Sequence, residues 1–481
     1  MTDDGGSRDL VPGVPPNDDL SFARDATRRA APHDPAALST WLLSLLPSAL
    51  ALAGWWKLRE QLYRTHWGEG PTLTLLVVAS IVLVLAVPRV ARLVFRHHAA
   101  GAGGGGDGRA ASRRVRLLTL ALAAGVLWSA ADDVAELRAN LARERAWMLD
   151  IGVATWAAAV RFADLGQNPY TTPNQPHQVT GGRGVTETGG RVEIFGVPYF
   201  YGFPYFPAMF LSYAPFRWID PGQHSIRIGN AFWLAVLLAG IAWLAYRLAP
   251  PGRRPQAAAL SALLLTTTTG LGGQLFYFGI TDIVIPVYVV LALLASSYRR
   301  DLLAGCLMGL AFSAKLHPGA LLAVVFFAWV VRRGGLRPAL AGFAVVSVIV
   351  LLPFVLWHPA GFLSATFLFY LTHHAAGDTT SLWYYLPEAL RFPFQALGGL
   401  AALAVALSPL WTGSNDQRDL LRAMVVASLL FLAASPMIHL NYQFALVPLA
   451  CVALAADAAG PFRGGRSRLN PPAPLFGVAH A

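Results

Sequence analysis

The chain is 481 residues long, 55% hydrophobic and 13% charged, with a formal net charge of +11 and a mean hydropathy of +0.49. A soluble domain carries about a quarter of its residues as charges, so this chain has too few to cover a water-facing surface. A soluble enzyme, a disordered protein and a secreted disulfide scaffold are thereby excluded. The two cysteines, Cys306 and Cys451, lie inside apolar runs, which argues against a disulfide framework or a structural zinc site.

Residues 1–36 are polar and rich in Pro and Asp; they read as a disordered cytoplasmic tail, without the charged start and cleavage site of a signal peptide. Apolar runs follow at 37–56, 72–95 and 115–131, each near the length that crosses about 30 Å of hydrocarbon as a helix. Between the second and third lies GAGGGGDG at 101–108, flanked by Arg89, Arg92, Arg96, Arg109, Arg113, Arg114 and Arg116. It lacks the Gly-Lys-Ser/Thr ending of a phosphate loop and reads as a flexible linker. Its arginines mark it as cytoplasmic. Residues 37–114 thus form an added two-span segment ahead of a membrane body at 115–460.

The stretch 132–226 is the longest outside the apolar runs and falls on the outer side. Its first part, 135–166, has the periodicity of an amphipathic helix, which NPYTTPNQP ends. GGRGVTETGGRVEIFGVPYF predicts a turn-rich loop or small hairpin. The aromatic, proline-broken YGFPYFPAMFLSYAPFRW at 201–218 predicts an interfacial segment rather than a span. Nine further apolar runs cover 227–248, 256–273, 283–298, 302–314, 318–331, 338–357, 395–411, 421–436 and 442–458. Arginines mark every second junction: Arg247, Arg253 and Arg254; Arg299 and Arg300; Arg332, Arg333 and Arg337; Arg418 and Arg422; Arg463, Arg466 and Arg468. The expectation is an all-α polytopic membrane protein of about twelve transmembrane helices with a large first outer loop, both termini cytoplasmic, 461–481 forming a second tail. The excess charge is then a topology signal, and no nucleic-acid partner is expected.

Polar groups collect at the other junctions: Asp150; Gln274 and Asp282; Lys315 and His317; His358, His373, His374 and Asp378; His439, Asn441 and Tyr442. Ionisable groups at membrane depth are costly and tend to face a polar cavity. Asp150, in MLDIGV, is either a desolvated carboxylate with a raised pKa suited to a general base or a helix-face acid paired with Arg143 or Arg145. Lysine is rare here: 37 Lys and Arg residues include only Lys57 and Lys315 as lysines. Lys315 is either a point charge for a phosphate or a snorkelling lysine at a helix end. Asp282 suits a sugar hydroxyl or a cation partner. His317 and His439 either assist at a phosphate or acceptor or are plain interfacial histidines. His373 and His374 are adjacent, so they do not share a helix face, and no carboxylates stand at ligand spacing.

DIGVATWAAAVRFADLGQNPY and then YFPAMFLSYAPF resemble the first outer loop of the GT-C superfamily of membrane glycosyltransferases. There an acid precedes a Gly-x-Asn-Pro-Tyr element by about fifteen residues, as Asp150 precedes Gly166 here. GQLFYFGITD, RRDLLAGCLMGLAFSAKLHPGALL and SPMIHLNYQFALVP look like further elements of its bacterial alpha-mannosyltransferase-like branch. Ala154 and Trp156 stand near the position of that family's usual tyrosine, and its Tyr-Pro-Pro element is Tyr205-Phe206-Pro207 here.

The resemblance implies a hexosyltransferase-type enzyme of the bacterial plasma membrane with an outward-facing site. It implies inverting transfer of a sugar from a polyprenyl-phosphate donor to a glycolipid or glycan acceptor. Carried over by position, Asp150 becomes the general base and Lys315 lies where the donor phosphate is held; His317, Asp282, Gln274, His439 and Tyr205 complete the expected donor- and substrate-binding set, and no metal or cofactor is expected. The aromatic stretch Tyr199 to Tyr213 either covers the sugar or forms a membrane belt. The rival class is a multi-pass transporter or lipid flippase, which places charges in broken helices near the midplane.

Overall fold

The computed structural model describes residues 150–171, 203–268, 273–368, 386–436 and 442–460, Trp383, and scattered positions between 120 and 148. The chain divides into two compact units, Met1–Trp41 and Leu42–Ala481, and all described residues belong to the second. Both expected tails, the first two apolar runs, most of the third, the glycine linker, the expected hairpin region, His373, His374, Asp378, His439 and Asn441 lie outside the described residues.

Helix α1 is Asp150–Ala163, α2 is the short Pro207–Leu211, and a 3-10 helix occupies Ala214–Trp218. Then come α3 (His224–Leu248), α4 (Arg254–Thr268), a π-turn at Gly273–Tyr277, α5 (Val284–Ser297), α6 (Asp301–Ala314), α7 (Leu316–Arg333), α8 (Leu336–Trp357) and α9 (Pro359–Leu363). Helices α10 (Glu388–Thr412), α11 (Gln417–Ala434) and α12 (Gln443–Ala458) complete the described body, which contains no strand. Each apolar run from 227 onward carries one of these helices, and 203–218 forms two short helices of five residues each, too short to span a bilayer. Helices α3, α7, α8 and α10 are long and apolar enough to cross a membrane.

Helix α5 is apolar on all sides, the pattern of a fully enclosed helix, and packs against α3, α6, α12 and α7 at the centre. Helix α7 stops where Gly334 takes a left-handed φ of 79° and its N–H bonds back to the carbonyls of Val330 and Val331, the glycine-terminated helix end.

The amphipathic pattern at 135–166 breaks where the sequence predicts continuity. The chain is helical over 134–141, Met148 is out of the helix, and α1 starts afresh at Asp150. Met148 is buried, and its Cγ would lie 3.0 Å from a Cβ placed on Gly279. Met148 thus packs against Gly279, which takes φ +67°, a long-range contact that local periodicity does not encode.

The two ends of the bundle differ. At one end the arginines of the alternating junctions reach helix-final carbonyls: Arg253 Nη1 to Ala459 O at 2.9 Å, Arg333 Nη1 to Ser296 O at 2.8 Å, and Arg418 to Leu248 O and Gly460 O at 2.5 and 3.0 Å. Gln417 Nε2 donates to Leu293 O at 2.6 Å. Arg422 is paired with Asp457 at 2.6 Å and Asp419 at 2.7 Å, and Arg333 with Asp301. These side chains satisfy carbonyls that a helix leaves orphaned. Asp282, Lys315 and Tyr442 lie at the opposite helix ends.

Helices α6 and α8 meet through glycine. A Cβ on Gly305 would overlap the Ala339 carbonyl, one on Gly342 the Leu302 carbonyl, and one on Gly309 would come within 2.9 Å of Phe343 O. Small residues allow this close approach, and the dispersion contacts it brings help hold helices together inside a bilayer. Gly305→Leu is expected to destabilise the protein by about 2 kcal/mol or more, read as a lower thermal midpoint in detergent. Gly252→Ala, where a Cβ meets nothing within 4 Å, is expected to leave the midpoint unchanged.

A candidate active site around Lys315 and Asp282

Helix α6 ends at Ala314, Lys315 is extended (φ −154°, ψ 125°), and α7 begins at Leu316. Pro318 in the first turn of α7 lacks an N–H that the helix would leave unused there anyway. At Gly319 a Cβ would stand 2.7 Å from Ala311 O and Phe312 Cα, so only glycine lets α7 start this close to α6. The extended break turns the Lys315 side chain inward.

Lys315 Nζ lies 3.2 and 3.1 Å from the two carboxylate oxygens of Asp282, with each side chain 3% exposed. The same ammonium sits 4.9 Å from the Tyr205 ring centroid and 4.1 Å from that of Tyr442. Four separate segments therefore converge on one cation: the approach to α2, the loop before α5, the α6–α7 break and the start of α12. The ion pair offsets the desolvation of two charges, and the ring faces add cation–π attraction, strongest where water is excluded.

Helix α3 fixes the loop that carries Asp282. Arg227, fully buried, donates from Nε to Phe276 O at 2.7 Å. Asn230 Nδ2 donates to Leu275 O at 2.7 Å and its Oδ1 accepts from Tyr213 OH at 2.5 Å. Tyr213 OH also reaches Thr281 O at 3.2 Å. Burial, with the nearby Asp282 carboxylate adding to it, pushes the Tyr213 phenol well above its usual range, so it stays a donor. Gln274 is buried in the π-turn and its carbonyl accepts from Ile280 N at 3.0 Å, bracing the same loop.

Helix α1 leans on this loop from the other side. A Cβ on Gly152 would overlap the Gly279 carbonyl, and Thr155 Oγ1 lies 3.0 Å from Thr281 Oγ1. The backbone of Asp150 therefore opens a helix whose first turns rest on the segment bearing Asp282. The Asp150 side chain is outside the described atoms. His317 is in the first turn of α7, its ring 6.1 Å from that of Phe431. His358 is exposed, and its Nδ1 accepts from Gly361 N at 2.9 Å, capping α9.

Tyr205 is held from behind. Tyr170 OH donates to Tyr205 O at 2.7 Å, and Asn168 Oδ1 accepts from Tyr170 N at 3.0 Å. The Tyr170 ring packs 4.9 Å from Phe362, 5.9 Å from Phe354 and 6.0 Å from Phe203. Burial pushes its phenol well above the usual range, which keeps the proton on the donating oxygen. Phe206 N donates to Ala314 O at 3.2 Å, tying this strap to the residue preceding Lys315.

Of the residues expected at the site, the structure joins Lys315, Asp282 and Tyr205 directly, puts Gln274 in the supporting turn and His317 two positions from Lys315, and brings the start of α1 to the same loop. Tyr442 is the group that sequence reasoning left as one junction residue among several. Arg227, Asn230, Tyr213 and Tyr170 were not singled out either. Arg227 and Asn230 stand three apart on a helix, one face, in an otherwise apolar stretch, and that spacing is the signal that marks them.

Residues 203–436 match the family model described as Glycosyltransferase family 87. The matched stretch contains Tyr205, Gln274, Asp282, Lys315 and His317. No curated protein matches. Two crystal structures are similar: ArnT from Cupriavidus metallidurans bound to undecaprenyl phosphate, at 16% identity and a TM-score of 0.44, and the same protein in the apo state, at 15% and 0.42. Each alignment covers 69% of this chain, which spans 59% of the length of those chains. The apolar all-helical body and the family match over the stretch that holds Asp282 and Lys315 together support a membrane glycosyltransferase.

Proposed function

We propose that the chain transfers a sugar, mannose-like or another hexose or pentose, from a polyprenyl-phosphate donor to a lipid or glycan acceptor at the membrane face away from the arginine-bonded end, in a bacterial plasma membrane. The observation that carries this reading is the buried Lys315–Asp282 pair under Tyr205 and Tyr442, inside the stretch that matches a glycosyltransferase family and beside the start of α1.

In the proposed step an acceptor hydroxyl attacks the anomeric carbon from the face opposite the phosphate, so the configuration inverts. Asp150 takes the hydroxyl proton as the new C–O bond forms. The bond from the anomeric carbon to the phosphate oxygen breaks, and the polyprenyl phosphate leaves with the electron pair. Lys315, already fixed by two rings and a carboxylate, stabilises the charge growing on that phosphate without reorganising. Asp282 holds the ammonium in place and accepts from a sugar hydroxyl. His317, Gln274 and His439 belong to the same proposed binding set.

Membranes incubated with a panel of radiolabelled polyprenyl-phosphate sugars and extracted envelope lipids are expected to move label into a lipid or glycan acceptor. Asp150→Asn should lower that transfer by about 10²- to 10⁴-fold while the protein still accumulates; near-normal turnover would remove Asp150 as base. Label that crosses the bilayer still attached to its polyprenol would instead favour a flippase.

The ion pair makes a separate stability prediction. Lys315→Met and Asp282→Leu should each cost about 3 kcal/mol or more, because each removes the opposite charge that offsets the burial of the other. The double variant should recover most of that loss, read as thermal midpoints in detergent, and remain inactive.

Tyr170→Phe removes only the hydroxyl that holds Tyr205 O and keeps the ring packing. It should raise KM for the donor severalfold while changing kcat little, measured on the labelled transfer.

A further inference from the structure

Two arginines at the arginine-bonded end differ from their neighbours. Arg333 and Arg422 hold carboxylates, and Arg253 and Arg418 hold helix-final carbonyls. Arg247 and Arg254 have neither kind of partner among the described residues, and they rest instead on aromatic faces. Arg247 Cζ lies 4.6 Å from the Tyr298 ring centroid, and Arg254 Cζ 5.4 Å from that of Tyr246. Arg254 Nε is buried without a hydrogen-bond acceptor among the described residues.

One aromatic ledge carries both. Trp243 stacks on Tyr246 with centroids 5.4 Å apart and 7° between planes, and its Nε1 donates to Tyr298 OH at 2.9 Å. Trp243 and Tyr298 are each 48% exposed. Tyr298 opens the turn to α6, where Arg299 is the one described non-glycine residue with a positive φ, 59°, and Arg299 and Arg300 are exposed beside it. The described acids of this end are engaged elsewhere: Asp301 with Arg333, Asp419 and Asp457 with Arg422, and Asp416 with the N–H of Arg418.

Ring stacking fixes where a guanidinium sits but leaves its in-plane N–H edges without acceptors, and those edges match a phosphate. Trp and Tyr half-exposed at the end of a spanning helix mark headgroup depth. We propose that the Trp243–Tyr246–Tyr298 ledge, with Arg247 and Arg254, is a binding site for the phosphate of an anionic phospholipid in the adjoining leaflet. An anionic lipid neutralises the ledge, whereas a zwitterionic one brings its own cation to an already positive surface. This site is separate from the one around Lys315 and does not depend on the transfer reaction.

The test uses the full-length protein, delipidated in neutral detergent and titrated with dioleoylphosphatidylglycerol or dioleoylphosphatidylcholine in mixed micelles. Retained lipid is counted by native mass spectrometry and stabilisation by thermal midpoint. Dioleoylphosphatidylglycerol is expected to be retained and to raise the midpoint, with dioleoylphosphatidylcholine doing neither. Arg247→Gln with Arg254→Gln should weaken that retention about tenfold, while Arg332→Gln with Arg337→Gln, which removes the same charge from the same end, should leave it unchanged. Should the first variant fail to accumulate, Arg247→Lys with Arg254→Lys keeps both charges, loses the planar fork and should still weaken retention. Equal retention of the two lipids, equal loss in the two double glutamine variants, full retention in the lysine variant, or an equal midpoint rise with inorganic phosphate alone would each overturn the assignment.

Discussion

An ammonium and a carboxylate removed from water inside an apolar helical body set the terms for everything around them. Neither Lys315 nor Asp282 could remain charged there alone, since the solvation lost by each exceeds any single neutral contact. The fold answers with two carboxylate contacts and two ring faces on one ammonium. It also holds each partner by backbone that cannot shift independently. The α6–α7 break is fixed by Gly319, the Asp282 loop is stitched to α3 by Arg227 and Asn230, and Tyr205 is anchored through Tyr170.

Much of the helical body was legible in the sequence because membrane helices announce themselves locally. Apolar runs of the right length need no partner to be read, and every run from 227 to 458 carries a helix. The segment before them was less legible. Periodicity predicts one helix across 135–166, yet Met148 is out of the helix and packs on Gly279, more than a hundred residues on. No local signal encodes such a contact.

The candidate site shows the same division. Lys315, Asp282 and Tyr205 stood out singly, as a rare lysine, an acid in an apolar loop and an aromatic strap. That the first two pair, and that Tyr205 and Tyr442 close over the cation, depends on how α5, α6, α7 and α12 meet. Arg227 escaped notice because the arginines at the alternating junctions mark helix ends facing the other way. Its guanidinium instead serves the π-turn carbonyls, a role visible only once α3 and that turn lie side by side.

Arg418 carries a temporal consequence. Its guanidinium joins the last carbonyl of α3 at Leu248 to Gly460, two residues past the end of α12. Those acceptors are more than two hundred residues apart in a chain that is synthesised from its N-terminus. Helices α3 to α11 can be inserted one after another, but this rim of the bundle stays unlatched until α12 is in place. Closing this rim therefore waits for α12, and a chain halted before that point would leave Arg418 without one of its acceptors.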